Sequence, residues 1–348
     1  MGTRIVELDG SLGEGGGQIL RSSLALALLT GTPFRLRNIR AARHKPGLQP
    51  QHLTSVRAAA QIGQARVQGD RQGSRELFFE PGEVVAGTYQ FQIGTAGSTS
   101  LVIQTIALPL ALRGRAPSQV IVSGGTHVRA SPCYDFIATT WRGYLERMGL
   151  TLTLTMHQPG FYPRGGGVVE ARVEPAAGVR PLRLDPAAAR PAELHVTGLS
   201  CVAGLPEHIA ERQAAQAIAR LREARLRCEL RRETWPDGPG TVLALVLHGP
   251  PAPTVFFALG QRGRPAERIA DDAVEELLAH LRRDPLAVDA HSADQILLPL
   301  ALADGPSEYP VSCVTQHLLT NIQVIRRFID RDVTCIGAEG GPGRVVIR

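Results

Sequence analysis

Lysine is almost missing from this chain. Of its 38 basic residues, 37 are Arg and one, Lys45, is Lys. Chemistry that needs a nucleophilic lysine has a single residue to use. Anion binding loses nothing, because guanidinium grips phosphate bidentately. Cysteine is sparse too. Cys133, Cys201, Cys228, Cys313 and Cys335 are scattered, odd in number and include no C-x-x-C pair, which speaks against a disulfide framework and a structural zinc site. No apolar run is both long enough and free enough of Pro, Gly and charge to span a bilayer, and Met1–Glu7 has no signal-peptide core. The expectation is a cytoplasmic enzyme or binding protein with no membrane partner.

What is present fits a large soluble chain. The 348 residues are 43% hydrophobic and 20% charged, room for two domains or one with an insertion. The net charge of +6 reads either as a solvated basic surface or as a surface for an anionic partner such as a nucleotide or nucleic acid.

Arg4–Asp9 reads as a strand, Gly10-Ser-Leu-Gly-Glu-Gly-Gly-Gly-Gln18 as a glycine loop, and Ile19–Leu29 as a helix. Backbone N–H groups in such a loop suit an anion, although the pattern is neither G-x-G-x-x-G nor a P-loop. Glu14 stands among the glycines. A carboxylate there opposes phosphate unless a divalent cation lies between, so Glu14 is either a metal ligand or an exposed turn acid. A basic loop follows, and Arg40, Arg43, His44, Lys45 and His52 crowd positive and hydrogen-bonding groups near the helix Gln51–Ile62. This is an anion site or a solvated basic edge.

The layout recurs. Strand, small-residue loop and helix appear at Tyr89–Ile93, Gly94–Ser100 and Leu101–Leu112, and again at Leu286–Asp289, Ala290–Ala293 and Asp294–Ala303. The two helices share Leu-Pro-Leu-Ala-Leu, at 108–112 and 298–302. Second helices begin at Gln51-His52-Leu53 and Gln316-His317-Leu318, with Asp135–Met148 in the middle unit. The fold class expected is α+β: three units of a sheet plus two helices. Residues 185–280 break the pattern. A strand Glu193–Thr197, an Arg-rich helix Pro206–Arg227, strands Thr241–Leu247 and Thr254–Leu259 and a helix Pro265–Arg283 suggest a small inserted α/β domain, leaving 1–184 and 281–348 as the large one.

Leu318, Ile322, Ile325 and Ile329 have helical spacing, and Thr315 is suited to cap that helix. His317 then sits in the first turn. The partial positive charge of a helix N-terminus disfavours the imidazolium and gathers phosphate oxygens. His317 is therefore a histidine nucleophile toward a phosphate or an ordinary helix-end histidine.

Together these stretches resemble the RNA 3'-terminal phosphate cyclases. The matching strings are Leu8-Asp-Gly-Ser-Leu-Gly-Glu-Gly-Gly-Gly-Gln-Ile-Leu-Arg21, Lys45-Pro-Gly-Leu48 with Gln51-His52, Gly124-Gly-Thr126, Gly160-Phe-Tyr-Pro163 with Gly165-Gly-Gly167, Ala293-Asp-Gln295 and His317-Leu-Leu-Thr-Asn321. The resemblance implies three units like the C-terminal domain of translation initiation factor 3 and a thioredoxin-like insert. It implies ATP-dependent conversion of an RNA 3'-phosphate to a 2',3'-cyclic phosphate, through a histidine–AMP enzyme and an RNA-3'-pp-5'-A intermediate, with Mg²⁺ or Mn²⁺. By resemblance His317 accepts AMP and Glu14 helps hold the metal. Gln104, Pro132, His291, Ser292, Ala293, Asp294 and Gln295 fall in ATP-binding stretches. Arg21, Arg40, Arg43, Gln51 and His52 fall around phosphates and the RNA end. One departure is visible: Thr315-Gln316 precede His317, with Ser312-Cys313 displaced upstream of where some members have Ser-Cys.

Three rivals remain. A non-catalytic RNA-binding paralogue in ribosome assembly would lack the histidine. An enolpyruvyl transferase would lack the His-Leu-Leu-Thr-Asn string and the insert. A lysine RNA ligase would need Lys45 in a Lys-x-Asp-Gly motif, and Lys45 is followed by Pro-Gly.

Overall fold

The computed structural model describes residues 4–184 and 194–348. The expected domain edge at residue 185, and Glu193 of the expected strand, lie outside the described residues. The architecture is α+β.

One helix organises the rest. Helix α1 (Gln18–Thr30) is buried along almost its whole length, from Ile19 to Leu29. An apolar surface on all sides suits a helix at the centre of a core. It packs against α2 (Pro50–Ile62), α3 (Thr99–Arg113) and, from the far end of the chain, the helix Gln316–Phe328. Gln18 and Arg21 are the polar, partly open residues of its first turn.

Two four-stranded sheets share one strand order, and a three-stranded sheet has its last three positions. Val6–Asp9 and Phe34–Arg37 run parallel, followed antiparallel by Leu77–Glu80 and Arg66–Gln68. Thr88–Gln92, Ser118–Gly124, Gly167–Val173 and Leu152–Gln158 repeat that arrangement. The third sheet has Ser307–Val311, Gly343–Ile347 and Val333–Ile336, all antiparallel. Its expected leading strand, Leu286–Asp289, is reduced to one parallel bridge, Val288 to Val311. The reason is local. Asp289 Oδ1 accepts the backbone N–H groups of His291 and Ser292, both at 2.9 Å, and bends the chain into a helical turn.

Two expected helices differ in detail. Asp135–Met148 is observed as Tyr134–Phe136, a π-helical turn at Ile137–Trp141, and Arg142–Arg147. Asp294–Ala303 is observed as two short helices, Ser292–Gln295 and Leu297–Ala301. The shared Leu-Pro-Leu-Ala-Leu string therefore has two outcomes, because α3 continues through Pro109. An interior proline costs a helix about 3 kcal/mol. In α3 eleven buried residues, Pro109 included, help to offset this.

A fourth sheet lies in the segment expected as the insert. Its order is Arg227–Trp235, His195–Ala203, Gly240–His248, Thr254–Leu259, with the first pair parallel and the others antiparallel. Helices α4 (His208–Glu223) and α5 (Ala266–Arg283) pack on each other and on this sheet, around a cluster that includes Val196, Leu221, Leu245, Phe256 and Leu277. The Arg-rich helix stops at Glu223, not Arg227, because Arg225 turns the chain with φ 59°. Arg227–Trp235 then forms an edge strand whose apolar alternation is confined to Cys228 and Leu230, too short to reveal it, and none of its residues is fully buried. Trp235 docks this sheet on the rest of the molecule, its ring 5.5 Å from His127 and 6.3 Å from Phe161.

The last long helix is α6 (Gln316–Phe328). Its cap is as expected: the Thr315 side chain accepts the Leu318 N–H at 3.1 Å, which puts His317 in the first turn.

Candidate active site

The starts of α1, α2 and α6 and the short helix at Ser292 converge on one cleft of about 680 Å³. Converging helix N-termini bring partial positive charge to the same place. Arg21, Arg40, Arg43, His52, Glu14 and His317 supply polar lining, and Leu108, Phe136, Trp141, Leu145, Phe257 and Leu298 supply apolar lining. A lining of this kind offers a ligand both apolar contacts and charged groups.

The glycine loop folds tightly over the polar lining. Gly13 and Gly15 have φ of +58° and +57°, which favours glycine. A Cβ at Gly17 would come within 2.4 Å of His52 Nε2 and 2.8 Å of Arg21 Nη1. The missing side chain there is what lets these two groups enter the cleft.

His317 is half-buried and held on both sides. Its Nδ1 lies 2.7 Å from Gln18 Oε1 and its Nε2 3.2 Å from Glu14 Oε2. Burial lowers the pKa of the ring; Glu14 opposes this, while Arg21, Arg43 and His291 reinforce it. Glu14 also pairs with Arg43 at 3.0 Å. Gln18 Nε2 donates to Asp294 Oδ2 at 2.7 Å. Burial pushes Asp294 up to about 7, against the pull of His291 and Arg21. Burial likewise draws Arg21 down to about 10, so it stays charged at neutral pH. Burial, with Arg21 and Arg40 nearby, holds His52 at about 3. His52 is thus neutral, and since its Nδ1 accepts the Gln49 N–H, its proton sits on Nε2.

Most residues expected from the sequence meet here. Glu14, Arg21, Arg40, Arg43, Gln51, His52, Gln104, Pro132, His291, Asp294, Gln295 and His317 all line the cleft. Gln104 Nε2 donates to Gln295 Oε1 at 2.5 Å. Two of them also brace loops. Arg40 donates to the Lys45 and Gly47 carbonyls, and Gln51 Oε1 accepts the Ser98 N–H at 2.8 Å. Ser292 and Ala293 lie behind the lining residues. They are 1% and 0% exposed and do not line the cleft, because the helical turn that presents Asp294 and Gln295 points them into the core. Gln18 and Asn321, both within the family-like strings, also line the cleft. Phe257 and Glu276, from the fourth sheet's side, had no sequence signal at all.

Residues 12–335 match the profile of the RNA 3'-terminal phosphate cyclase family. A protein of Ectopseudomonas mendocina bearing that name is 44% identical over 100% of this chain and 99% of its own. The chain belongs to the RNA 3'-terminal phosphate cyclase family. Namesakes from Salmonella typhimurium and Methanopyrus kandleri are 44% and 42% identical, over 97% and 99% of this chain and 97% and 99% of their own.

In this cyclase-family cleft, His291 joins the two sides. Its Nε2 lies 2.7 Å from Glu276 Oε1 on α5. The ring is 62% exposed, so the ion pair decides the direction, and it raises His291 to about 9. A histidine held above its unfolded value stabilises the fold fully below about 6.5 and loses that contribution as pH rises through the folded value. The melting temperature should therefore fall between pH 6.5 and roughly 9.5 more steeply in the native protein than in Glu276→Gln. Equal slopes by scanning fluorimetry would count against the pair.

Proposed function

We propose that this protein converts an RNA 3'-phosphate to a 2',3'-cyclic phosphodiester at the expense of ATP. The observation that carries the reading is His317: a half-buried histidine in the first turn of a capped helix, beside Glu14 and Arg21 in a cleft that also has apolar lining. In this reading His317 Nε2 attacks the α-phosphorus of ATP. The bond to the bridging oxygen breaks, pyrophosphate leaves, and a phosphoramidate links AMP to the ring. An oxygen of the RNA 3'-phosphate next attacks that phosphorus, the N–P bond breaks, and RNA-3'-pp-5'-A forms. The neighbouring 2'-OH attacks the 3'-phosphorus and loses its proton, and AMP leaves. The 2'-OH is the group that distinguishes RNA from DNA, and here it is also the nucleophile.

Arg21, Arg40 and Arg43 bind phosphate charge in this scheme, and His52 supplies a neutral Nε2–H. Gln104, Pro132, His291, Asp294 and Gln295 surround the nucleoside, with Ser292 and Ala293 supporting them from behind. Among the described residues no group of three or more His, Cys, Asp or Glu side chains is arranged to hold a metal ion. Glu14 alone still fits Mg²⁺ or Mn²⁺, since Mg²⁺ commonly takes one or two carboxylates and completes its shell with substrate phosphates and water. Such an ion would neutralise phosphate charge. We also read the three similar sheets as units like the C-terminal domain of translation initiation factor 3, and residues 185–280 as a thioredoxin-like inserted domain, with 1–184 and 281–348 as the large one.

The test is an oligoribonucleotide ending in a 3'-phosphate, incubated with ATP and Mg²⁺. The end should become resistant to phosphatase and yield AMP in equal amount. RNA that binds but keeps its 3'-phosphate would favour the non-catalytic RNA-binding reading instead.

A further inference from the structure

We infer that Gln18 and Asp294 act as a positioning pair that presents His317 in one tautomer, with its lone pair on Nε2. The inference rests on the reading of His317 as a nucleophile. Three distant segments meet to build the device: the first residue of α1, the short helix Ser292–Gln295 and the first turn of α6.

Gln18 Oε1 lies 2.7 Å from His317 Nδ1. A carbonyl oxygen only accepts, so Nδ1 carries the hydrogen; Glu14 Oε2, the competing acceptor 3.2 Å from Nε2, is engaged by Arg43 at 3.0 Å, which leaves the lone pair on Nε2. The two ends of a glutamine amide are nearly the same size, so shape does not fix which one faces the ring. Turned over, Gln18 would offer its NH₂ to Nδ1 and drive the hydrogen onto Nε2, the nitrogen that must attack. Asp294, in its ionised form, blocks that turn. Its Oδ2 takes the Gln18 Nε2–H at 2.7 Å, and after a flip two acceptor oxygens would face each other. Asp294 is itself anchored by the helices it serves. Asn321 of α6 donates to the Asp294 carbonyl at 2.8 Å, and Ser22 of α1 donates to Asn321 Oδ1 at 2.7 Å.

The pair moves no proton. When Nε2 bonds to phosphorus and pyrophosphate leaves, the ring becomes positive. Its Nδ1–H stays on Gln18 Oε1, whose partial negative charge faces the new cation. When AMP passes to RNA the N–P bond breaks and the same neutral tautomer returns.

The test combines a spectrum with kinetics on the full chain. ¹⁵N spectra of the histidine rings at pH 8 should place the His317 hydrogen on Nδ1, and Gln18→Leu should abolish that preference. Gln18→Leu should slow self-labelling by α-labelled ATP on the order of 10²-fold at saturating ATP, with the ATP KM within about threefold. The double variant Gln18→Glu with Asp294→Asn reverses the donor and acceptor between the two side chains yet keeps an acceptor on Nδ1. It should recover to within about tenfold of the native rate. A hydrogen on Nε2 in the native protein, unchanged labelling in Gln18→Leu, or a double variant no faster than Gln18→Leu would overturn the inference. If the native protein takes no label, the proposed function fails, while the ring spectrum still decides the pair.

Discussion

His317→Ala will take no covalent label from α-labelled ATP. The native protein, given a divalent cation, should acquire AMP through a bond that acid cleaves and alkali spares, as a phosphoramidate behaves. Removing a nucleophile typically costs several powers of ten, roughly 10⁴-fold or more, and leaves only background. Thr315 still caps α6 in the variant and Leu318, Ile322 and Ile325 still bury its inner face, so the melting temperature should change little. Label retained at the native level in a folded His317→Ala would transfer the nucleophile elsewhere. Lys45 could not take it over in the same place, since it does not line the cleft.

Arg21→Ala will lose about 10²- to 10³-fold in labelling rate, the cost usual for removing one preorganised charge from a developing anion. Arg21 suits this role because it is one turn into α1, on the floor of the cleft beside Gly17 and His52. Its charge has a second use, since it pulls Asp294 toward the ionised form. Without it Asp294 would take a proton more readily, and neutralisation in this way avoids an unpaired buried charge. The variant should therefore fold. Arg21→Lys should recover only part of the rate, because an ammonium replaces a planar, bidentate donor with a point charge. Rates for Arg21→Ala within threefold of native would remove Arg21 from the phosphate-binding groups.

The first turn of α6 was legible to the residue: a threonine cap, then His317, then an apolar stripe at helical spacing. The glycine loop before α1 was equally legible, because only glycine relieves the contacts at Gly13 and Gly17. The edge strand Arg227–Trp235 was not, since its apolar alternation stops after Cys228 and Leu230 and its other face is charged and open to water. Nor was the loss of the strand Leu286–Asp289, which hinged on one carboxylate taking two backbone N–H groups.

The sequence by itself determined the family strings, the helix that carries His317 and the supply of arginine in place of lysine. Only the tertiary structure decided which side chains touch. Gln18 and His317 are 299 positions apart, and Gln18 and Asp294 are 276 apart. No local period encodes such pairs. They meet because α1 buries its apolar surface against α6 and the elements around it, and the free energy of that burial places a few polar side chains within hydrogen-bond reach. The same packing removes Asp294 and Arg21 from water, which shifts their proton affinities. It also turns Ser292 and Ala293 inward and brings Glu276 of α5 to His291.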